Sequence, residues 1–340
     1  MNAHAANPRR SFLKTGLALA LTPVLTVPAV QSAHAAAYPT GPVTMMVPYP
    51  AGGPSDVSAR ILSGPIGEAL KTQVVVENLG GATGTIAASK VLNANADGNY
   101  FFQGTQNELI IPPLTNRLVR YQPDAFENLQ PITITHLVLL VRADLPVNTT
   151  EEFLKLAGSR EAANSLTYGT VGVGSLYHLV TEYLGKLTNV PFTHIPYKGT
   201  APVVQDLVGK QIDFTIMPFQ ASMLEMVNTG RFKALAVLSK NKPAVLEKVP
   251  SITEIPKLSQ FEYASYAGYF VKKGTPAAIK ETLNRAIGHA LQDPAVIAKL
   301  EADGRNVSKP MTLDQAQAAY TDEIAKYKEM IRVTGYVQAD

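Results

Sequence analysis

The sequence of 340 residues contains no cysteine. This absence excludes disulfide bonds, a thiolate metal site and the acylated N-terminal cysteine that anchors lipoproteins. The chain also lacks low-complexity stretches, blocks of like charge and a long linker. A hydrophobic content of 46% with 17% charged residues is typical of a globular protein, and the length suggests about two domains.

Motifs for nucleotides, metals and catalysis are absent as well. No glycine loop ends in Gly-Lys-Ser or Gly-Lys-Thr, and Gly172-Val173-Gly174 has Tyr177 where a dinucleotide turn needs its third glycine. Four histidines are isolated and lack metal-ligand spacing: His136, His178, His194 and His289. We therefore predict no cofactor, no metal site and no catalytic residue.

Ser175 and His178 leave a serine hydrolase open as an alternative, because they stand three positions apart on one helical turn. No Gly-x-Ser-x-Gly elbow surrounds the serine, however. A hydrolase would turn over esters and lose that activity in Ser175→Ala, whereas a receptor would show saturable binding without product.

Residues 1–35 are predicted to be a signal peptide that exports the chain to the periplasm. Arg9-Arg10 precedes an apolar run from Leu17 to Val30, and Ala33-His34-Ala35 is an A-x-A cleavage pattern. The Arg-Arg-x-Phe-Leu-Lys order resembles a twin-arginine signal. Pro8 stands where Ser or Thr is usual, so the general secretory route stays open.

The basic charge of the chain belongs mostly to this leader. It carries Arg9, Arg10 and Lys14 and no acidic residue, so its removal takes the formal charge of +3 to near zero. We therefore predict no nucleic-acid or membrane-surface partner.

From Tyr38 onward, strand patterns alternate with helical patterns. The apolar run Val43 to Val47 predicts a strand. A glycine turn and an amphipathic helix follow, with Gly53 as the N-cap, Pro54 in the first helical position and Asp56 reaching back to the turn. A helix N-terminus beside a glycine turn collects anions; the alternative is a tight turn without a ligand.

The same order repeats along the chain and predicts parallel strands with their loops at one edge. Predicted strands in the first unit are Gln73–Asn78 and Tyr100–Gly104, with Leu137–Val141 at its end. Those in a second unit, at about residues 142–262, are Leu166–Gly169, Phe192–Tyr197, Ile212–Met217 and Ala234–Leu238. A strand at Tyr266–Lys272 and C-terminal helices are expected to return to the first unit.

Four turns after these strands are rich in glycine or small polar residues, two in each unit. They offer backbone N–H groups and the hydroxyls of Ser55, Thr83, Thr85, Thr105, Thr170 and Ser175, with almost no side-chain cation. Such a site suits an anion held by oriented dipoles. Helix capping is the alternative for Thr85 and Ser175 taken singly.

Several segments in this order resemble the Bug family, the periplasmic solute-binding proteins of tripartite tricarboxylate transporters. The resemblance covers essentially the whole mature chain. Its segments are residues 47–56, 75–78 with 81–87, 97–100, 168–179, 194–202 and 230–237.

This resemblance implies an α/β, two-lobed, type II-like periplasmic binding protein, each lobe a sheet flanked by helices, with two interdomain crossovers. Lobe 1 would be residues 36–141 plus 264–340, and lobe 2 residues 142–263. It further implies a monomer that binds a small organic mono- or dicarboxylate and meets the membrane permease subunits of the transporter.

The turns and the resemblance together predict the ligand contacts. In lobe 1 these are Tyr49, Ala51, Gly52, Gly53, Ser55, Asp56, Ala82, Thr83, Gly84, Thr85, Thr105 and Gln106. In lobe 2 they are Thr170, Gly174, Ser175, His178, Tyr197, Lys198, Met217 and Pro218.

The chain departs from the family pattern at two places. Met217-Pro218-Phe219 stands where many members have an acidic or amide residue. This disfavours an amino-acid ligand, whose ammonium would lack a charge partner, and favours an apolar or aromatic middle to the ligand. The second departure is the turn Gly104-Thr105-Gln106-Asn107-Glu108, where a small or hydroxyl-rich run with histidine is common in the family. Glu108 beside an anion site either faces away or accepts a ligand hydroxyl. A sensor for a two-component system and an effector domain of a regulator stay open as alternatives.

Overall fold

Strands and helices alternate along the chain in the computed structural model, which describes residues 38–197, 199–302 and 304–336. The strands are β1 (Val43–Val47), β2 (Val74–Asn78), β3 (Tyr100–Gly104), β4 (Phe126–Arg142), β5 (Leu166–Thr170), β6 (Phe192–Pro196), β7 (Phe214–Pro218), β8 (Phe232–Val237), β9 (Ala264–Lys272) and β10 (Asn306–Val307). The predicted signal peptide and Lys198 lie outside the described residues.

The helices alternate with these strands and include two short ones after β3. They are α1 (Pro54–Leu70), α2 (Thr85–Asn93), α3 (Gln106–Leu109), α4 (Ile111–Thr115), α5 (Thr150–Gly158), α6 (Leu176–Thr188), α7 (Thr200–Val208), α8 (Ala221–Asn228), α9 (Ala277–Ala290), α10 (Pro294–Glu301) and α11 (Leu313–Thr334). Within the described ranges, none of them combines the length and apolar character that a membrane span needs.

The turn between β1 and α1 forms as the sequence predicts. Gly53 is the N-cap of α1 and Pro54 stands in its first turn. The Asp56 carboxylate accepts a hydrogen bond of 2.8 Å from the N–H of Gly52, and the Arg60 guanidinium donates to it at 2.9 Å. This guanidinium lowers the pKa of the Asp56 carboxyl. Asp56 therefore closes the turn from within the helix.

The strands form a mixed sheet in the order β2-β1-β3-β9-β4-β7-β5-β6, and β8 and β10 also pair with β4. The predicted parallel pairing is confirmed for β1 with β2 and β3, and for β5 with β6 and β7. Strands β4 and β9 are antiparallel to each other; β9 also pairs antiparallel with β3, and β4 with β7 and β8.

Strand β4 is much longer than predicted. The sequence indicates only Leu137–Val141, yet the strand runs through 17 residues from Phe126 to Arg142. Its first part pairs with β9 and contains Pro131, with register shifts on either side of that proline. Its second part pairs with β7 and β8. One continuous strand thus has different neighbours along its length.

The sheet is buried on both faces, as the alternation of side chains along β1 shows. Val43, Met45 and Val47 pack in a core with α1 and α9 residues such as Leu62 and Leu283. Met46, which points to the opposite face, belongs to a second core with α2. Helices on both faces of a sheet define the predicted α/β class, which is confirmed.

The C-terminal part of the chain returns to the N-terminal strands, as expected. Strand β9 lies between β3 and β4, and α11 is tied back by the Tyr320 hydroxyl, which donates to the carbonyl of Pro123 at 2.9 Å. The predicted lobe boundaries at residues 141/142 and 263/264 stay a prediction.

Candidate functional site

A cavity of about 950 Å³ lies at the carboxyl ends of the parallel strands. The turns that follow β1, β2 and β3 contribute to its wall, as do those that follow β5, β6 and β7. Ligands bind at this edge in open α/β sheets. The wall includes residues 48–55, 82, 83, 85, 103–105, 107, 108, 171–175, 199, 200 and 218–220.

Five helices of eight or more residues begin at this cavity: α1, α2, α6, α7 and α8. Four of them have an N-cap residue whose side chain makes no capping hydrogen bond, namely Gly53, Gly84, Gly199 and Gln220. No N-cap side chain occupies the N–H groups in the first turns of these four helices. Two starts offer fewer donors, because Pro54 has no N–H and the N–H of Thr85 donates to the Ala82 carbonyl. Each helix start also carries a partial positive charge. The arrangement suits an anion.

The remaining helix, α6, is capped by two side chains. The Ser175 hydroxyl accepts a hydrogen bond of 3.3 Å from the N–H of His178. The N–H of Leu176 donates to the Asn107 carbonyl oxygen Oδ1 at 3.2 Å. Asn107, in the short helix α3 after β3, thus connects to the start of α6, which is 69 residues later in the sequence.

Charged side chains are few on this wall. Of the described lining residues, Arg305 is the one cation and Glu108 the one acid. Arg305 precedes β10, and its Nη2 donates to the carbonyl of Pro54 at 3.0 Å. The preceding Gly304 packs against the start of α8, because an added Cβ would lie 3.2 Å from the Ala221 nitrogen. This segment therefore brings a guanidinium between the starts of α1 and α8.

Glu108 is fully buried behind the wall. The Tyr49 hydroxyl donates to its Oε1, while the N–H and the hydroxyl of Thr105 donate to its Oε2 at 2.6 and 2.8 Å. Gly84, at φ +83°, leaves room for it, since a Cβ there would lie 2.4 Å from the Glu108 Cγ. Burial raises the pKa of the Glu108 carboxyl, although these hydrogen bonds oppose the rise.

Most of the predicted contact residues do line the cavity. They are Tyr49, Ala51, Gly52, Gly53, Ser55, Ala82, Thr83, Thr85, Thr105, Gly174, Ser175 and Pro218. The structure thus brings the turns of both predicted units to one cavity.

Seven predicted residues are not part of the described wall: Asp56, Gly84, Gln106, Thr170, His178, Tyr197 and Met217. Gln106 holds β9, because it donates to the carbonyl of Ala264 and accepts from the N–H of Tyr266. The Tyr197 hydroxyl donates to Asp206 at 2.6 Å. Met217 is 1% exposed and packs in the core beside β4, whereas its neighbour Phe219 reaches the wall.

His178 and Thr170 support the turn after β5 from behind. His178 Nδ1 accepts a hydrogen bond of 3.1 Å from the N–H of Gly174, and Thr170 Oγ1 lies 2.7 Å from Nε2 of His194. The two imidazole rings stack with centroids 4.1 Å apart. Burial lowers the pKa of each histidine to about 4. Ser175 and His178 therefore act as a helix cap and a turn support.

The wall also contains residues that the sequence analysis missed. Thr135 on β4 and Ser265 on β9 are register partners and line the cavity between the two sets of turns. Asn107, Gln220 and Arg305 were missed as well. Asn107 and Gln220 follow β3 and β7 closely, so the rule that found the other turns could have found them. No local motif marks Thr135, Ser265 or Arg305, since their place depends on the order of the strands.

A metal site does not emerge from the described part of the chain. Within residues 38–197, 199–302 and 304–336, no group of three or more His, Cys, Asp or Glu side chains is placed to hold a metal ion.

Comparisons with known proteins identify the family. The family described as "Tripartite tricarboxylate transporter family receptor" (TctC) matches residues 58–336. Protein BugT of Bordetella pertussis is 30% identical over 306 residues, covering 88% of this chain and 90% of that protein.

Two solved structures share the fold across the chain. One, described as R. palustris Rpa4515 with adipate, has a TM-score of 0.75 and 29% identity, covering 88% of this chain and 99% of that chain. The other, MatC (Rpa3494) from Rhodopseudomonas palustris with bound malate, has a TM-score of 0.72 and 27% identity, covering 86% and 100%. The chain therefore belongs to the TctC family of periplasmic solute-binding receptors, as its resemblance to the Bug proteins predicted.

Proposed function

We propose that this receptor captures a small organic mono- or dicarboxylate in the cavity and delivers it to the permease subunits of a tripartite tricarboxylate transporter. The observation that carries the proposal is the meeting of five helix N-termini at one cavity. Their N–H groups and partial charges would hold a carboxylate without a dedicated ion pair. The Arg305 guanidinium would add a further donor at the edge of the same site.

The names of two structural relatives agree with this ligand class, because they report adipate and malate. Both molecules are short acids with two carboxylates. A wall with several helix starts and one guanidinium suits more than one carboxylate group. The sizes also agree, since ligand sites of about 300–1,000 Å³ are usual and this cavity is about 950 Å³.

Receptor function rather than catalysis fits the chemistry of the wall. The hydroxyl of Ser175 caps α6 and the imidazole of His178 accepts from Gly174, so neither group is arranged as a nucleophile and its base. Apart from the Arg305 guanidinium and the buried Glu108 carboxylate, the other described wall groups are backbone amides, hydroxyls, side-chain amides and apolar atoms. These groups bind and orient a ligand.

Capture would involve closure of the two predicted lobes over the ligand, with β4 and β9 as the connections between them. A ligand that contacts turns from both lobes stabilises the closed state by its differential affinity. The receptor would act as an exported monomer in the periplasm.

A thermal-shift screen of the mature chain from residue 36 tests this function. Aliphatic, hydroxylated and aromatic carboxylates are compared with their neutral amides, which match them in shape. A binding acid at a hundred times its dissociation constant should stabilise the protein by about 2.7 kcal/mol. The proposal fails if no acid raises the melting temperature, or if the amides raise it equally.

A further inference from the structure

We propose that the cavity selects carboxylates that carry a hydroxyl group, because Tyr49 and Thr105 face the ligand as hydrogen-bond acceptors. The inference rests on the proposed function and names the ligand class of the same site. It follows from the cluster formed by Tyr49, Thr105 and Glu108, which we call the acceptor cluster.

The acceptor cluster has already used its own donors. A tyrosine or threonine hydroxyl has a single hydrogen. That of Tyr49 is donated to Glu108 Oε1, and that of Thr105 to Glu108 Oε2. The N–H of Thr105 also goes to Oε2, and the N–H of Asn107 goes to Thr105 Oγ1 at 3.1 Å. Only oxygen lone pairs of the two hydroxyls remain for a ligand.

The carboxylate that orients these hydroxyls is itself inaccessible. Glu108 is 0% exposed, whereas Tyr49 and Thr105 are partly exposed and line the cavity. A ligand therefore meets two neutral oxygens and no accessible charge at this point. A neutral hydroxyl matches them, while an ammonium would be desolvated without a counter-charge.

A ligand carboxylate would lie close to this cluster. Tyr49 belongs to the turn between β1 and α1, and Thr105 to the turn after β3, so both border the helix starts proposed to hold the acid. A hydroxyl near the carboxylate would reach the cluster. An acid without it would leave the remaining lone pairs unpaired and should bind about tenfold more weakly.

Binding of matched acid pairs to the wild-type protein tests the inference. The pairs are propionate and lactate, succinate and malate, and phenylacetate and mandelate, measured by calorimetry. In each pair that binds, the hydroxylated member should bind about tenfold more tightly. Equal binding within a pair, or tighter binding of aspartate than of malate, overturns the inference and leaves carboxylate capture intact. If no acid binds, both this inference and the proposed carboxylate capture are overturned.

Two variants examine the acceptor cluster itself. In Glu108→Gln, the new amide oxygen still accepts the hydrogen bond from the N–H of Thr105. The amide NH2 then donates to the Tyr49 oxygen, so the Tyr49 hydroxyl hydrogen becomes available to the ligand. The tenfold preference should fall below about twofold. Tyr49→Phe should reduce it as well, while the affinity for the unhydroxylated acid stays within a few-fold.

Tyr197→Phe is the matched control, because the Tyr197 hydroxyl donates to the Asp206 carboxylate away from the wall. It should leave the preference unchanged. A preference that survives in both Glu108→Gln and Tyr49→Phe contradicts the inference. If Glu108→Gln does not fold, Tyr49→Phe alone decides.

Discussion

Substitution of Gly84 by alanine should destabilise the protein more than the same substitution at Gly52. The two glycines have nearly the same backbone angle, φ +83° and φ +81°. A Cβ at Gly84 would lie 2.4 Å from the Glu108 Cγ and 2.9 Å from the Pro48 Cβ, whereas a Cβ at Gly52 meets nothing within 4 Å. Both substitutions therefore introduce similar backbone strain, and the difference between them measures the steric conflict at Gly84.

The expected losses follow from these two contributions. An L-residue in the left-handed region costs about 1–2 kcal/mol, and the lower entropy of the unfolded chain offsets about 0.4–1 kcal/mol of it. Gly52→Ala should therefore lose on the order of 1 kcal/mol. Gly84→Ala adds overpacking against Glu108 and Pro48, which typically costs about 1–3 kcal/mol more.

Urea unfolding of the wild type and both variants measures these free energies, with the slope m as a check that the unfolded state is unchanged. Equal losses for Gly84→Ala and Gly52→Ala would refute the reasoning that Gly84 exists to make room for Glu108. Gly84→Ala should in addition reduce the preference for the hydroxylated acid, because displacement of Glu108 releases the Tyr49 hydroxyl that it holds.

Three further outcomes are expected. Arg305→Gln should weaken carboxylate binding about tenfold, as measured by calorimetry, while Arg285→Gln on the exposed face of α9 should not; equal effects would remove Arg305 from the site. Because burial lowers the pKa of His178 and His194 from 6.5 to about 4, the unfolded chain takes up protons first as pH falls. The free energy of unfolding should be highest above pH 6.5 and should decrease as the pH falls toward 4. His194→Gln should make this decrease smaller when urea unfolding is measured across the pH range. The same pH dependence in this variant and the wild type would contradict a contribution of His194. Ser175→Ala should lower the free energy of unfolding by about 1 kcal/mol, because the N-cap of α6 is lost. In an assay with ester substrates, the wild type and this variant should give the same rate; wild-type turnover that the variant abolishes would restore the hydrolase alternative.

The strand–turn–helix segments were predictable because their signals are local. An apolar run followed by Gly52, Gly53 and Pro54 determines where β1 ends and α1 begins. The first half of β4 was not predictable in this way. Pro131 and the polar residues around it are typical of a loop, and the segment is extended because it pairs with β9, more than 130 residues later in the chain.

The residues of the candidate site were likewise partly predictable from local pattern and partly not. Its turns were found because the carboxyl ends of parallel strands meet at one edge. Thr135 and Arg305 reach the wall from elements whose position depends on the complete sheet order. Met217 was expected at the ligand because of its type, but it points into the core. The local sequence pattern does not show whether a side chain faces the cavity or the core, because tertiary packing determines this.

The position of β9 between β3 and β4 has a consequence for biosynthesis. Both of these strands are synthesised by residue 142, but their shared neighbour is complete only at residue 272. Until then the growing chain has two unsatisfied strand edges, which are prone to pair with other chains. Polypeptides that terminate before Ala264 should therefore aggregate, and holdase chaperones should bind the nascent chain until this late strand is inserted.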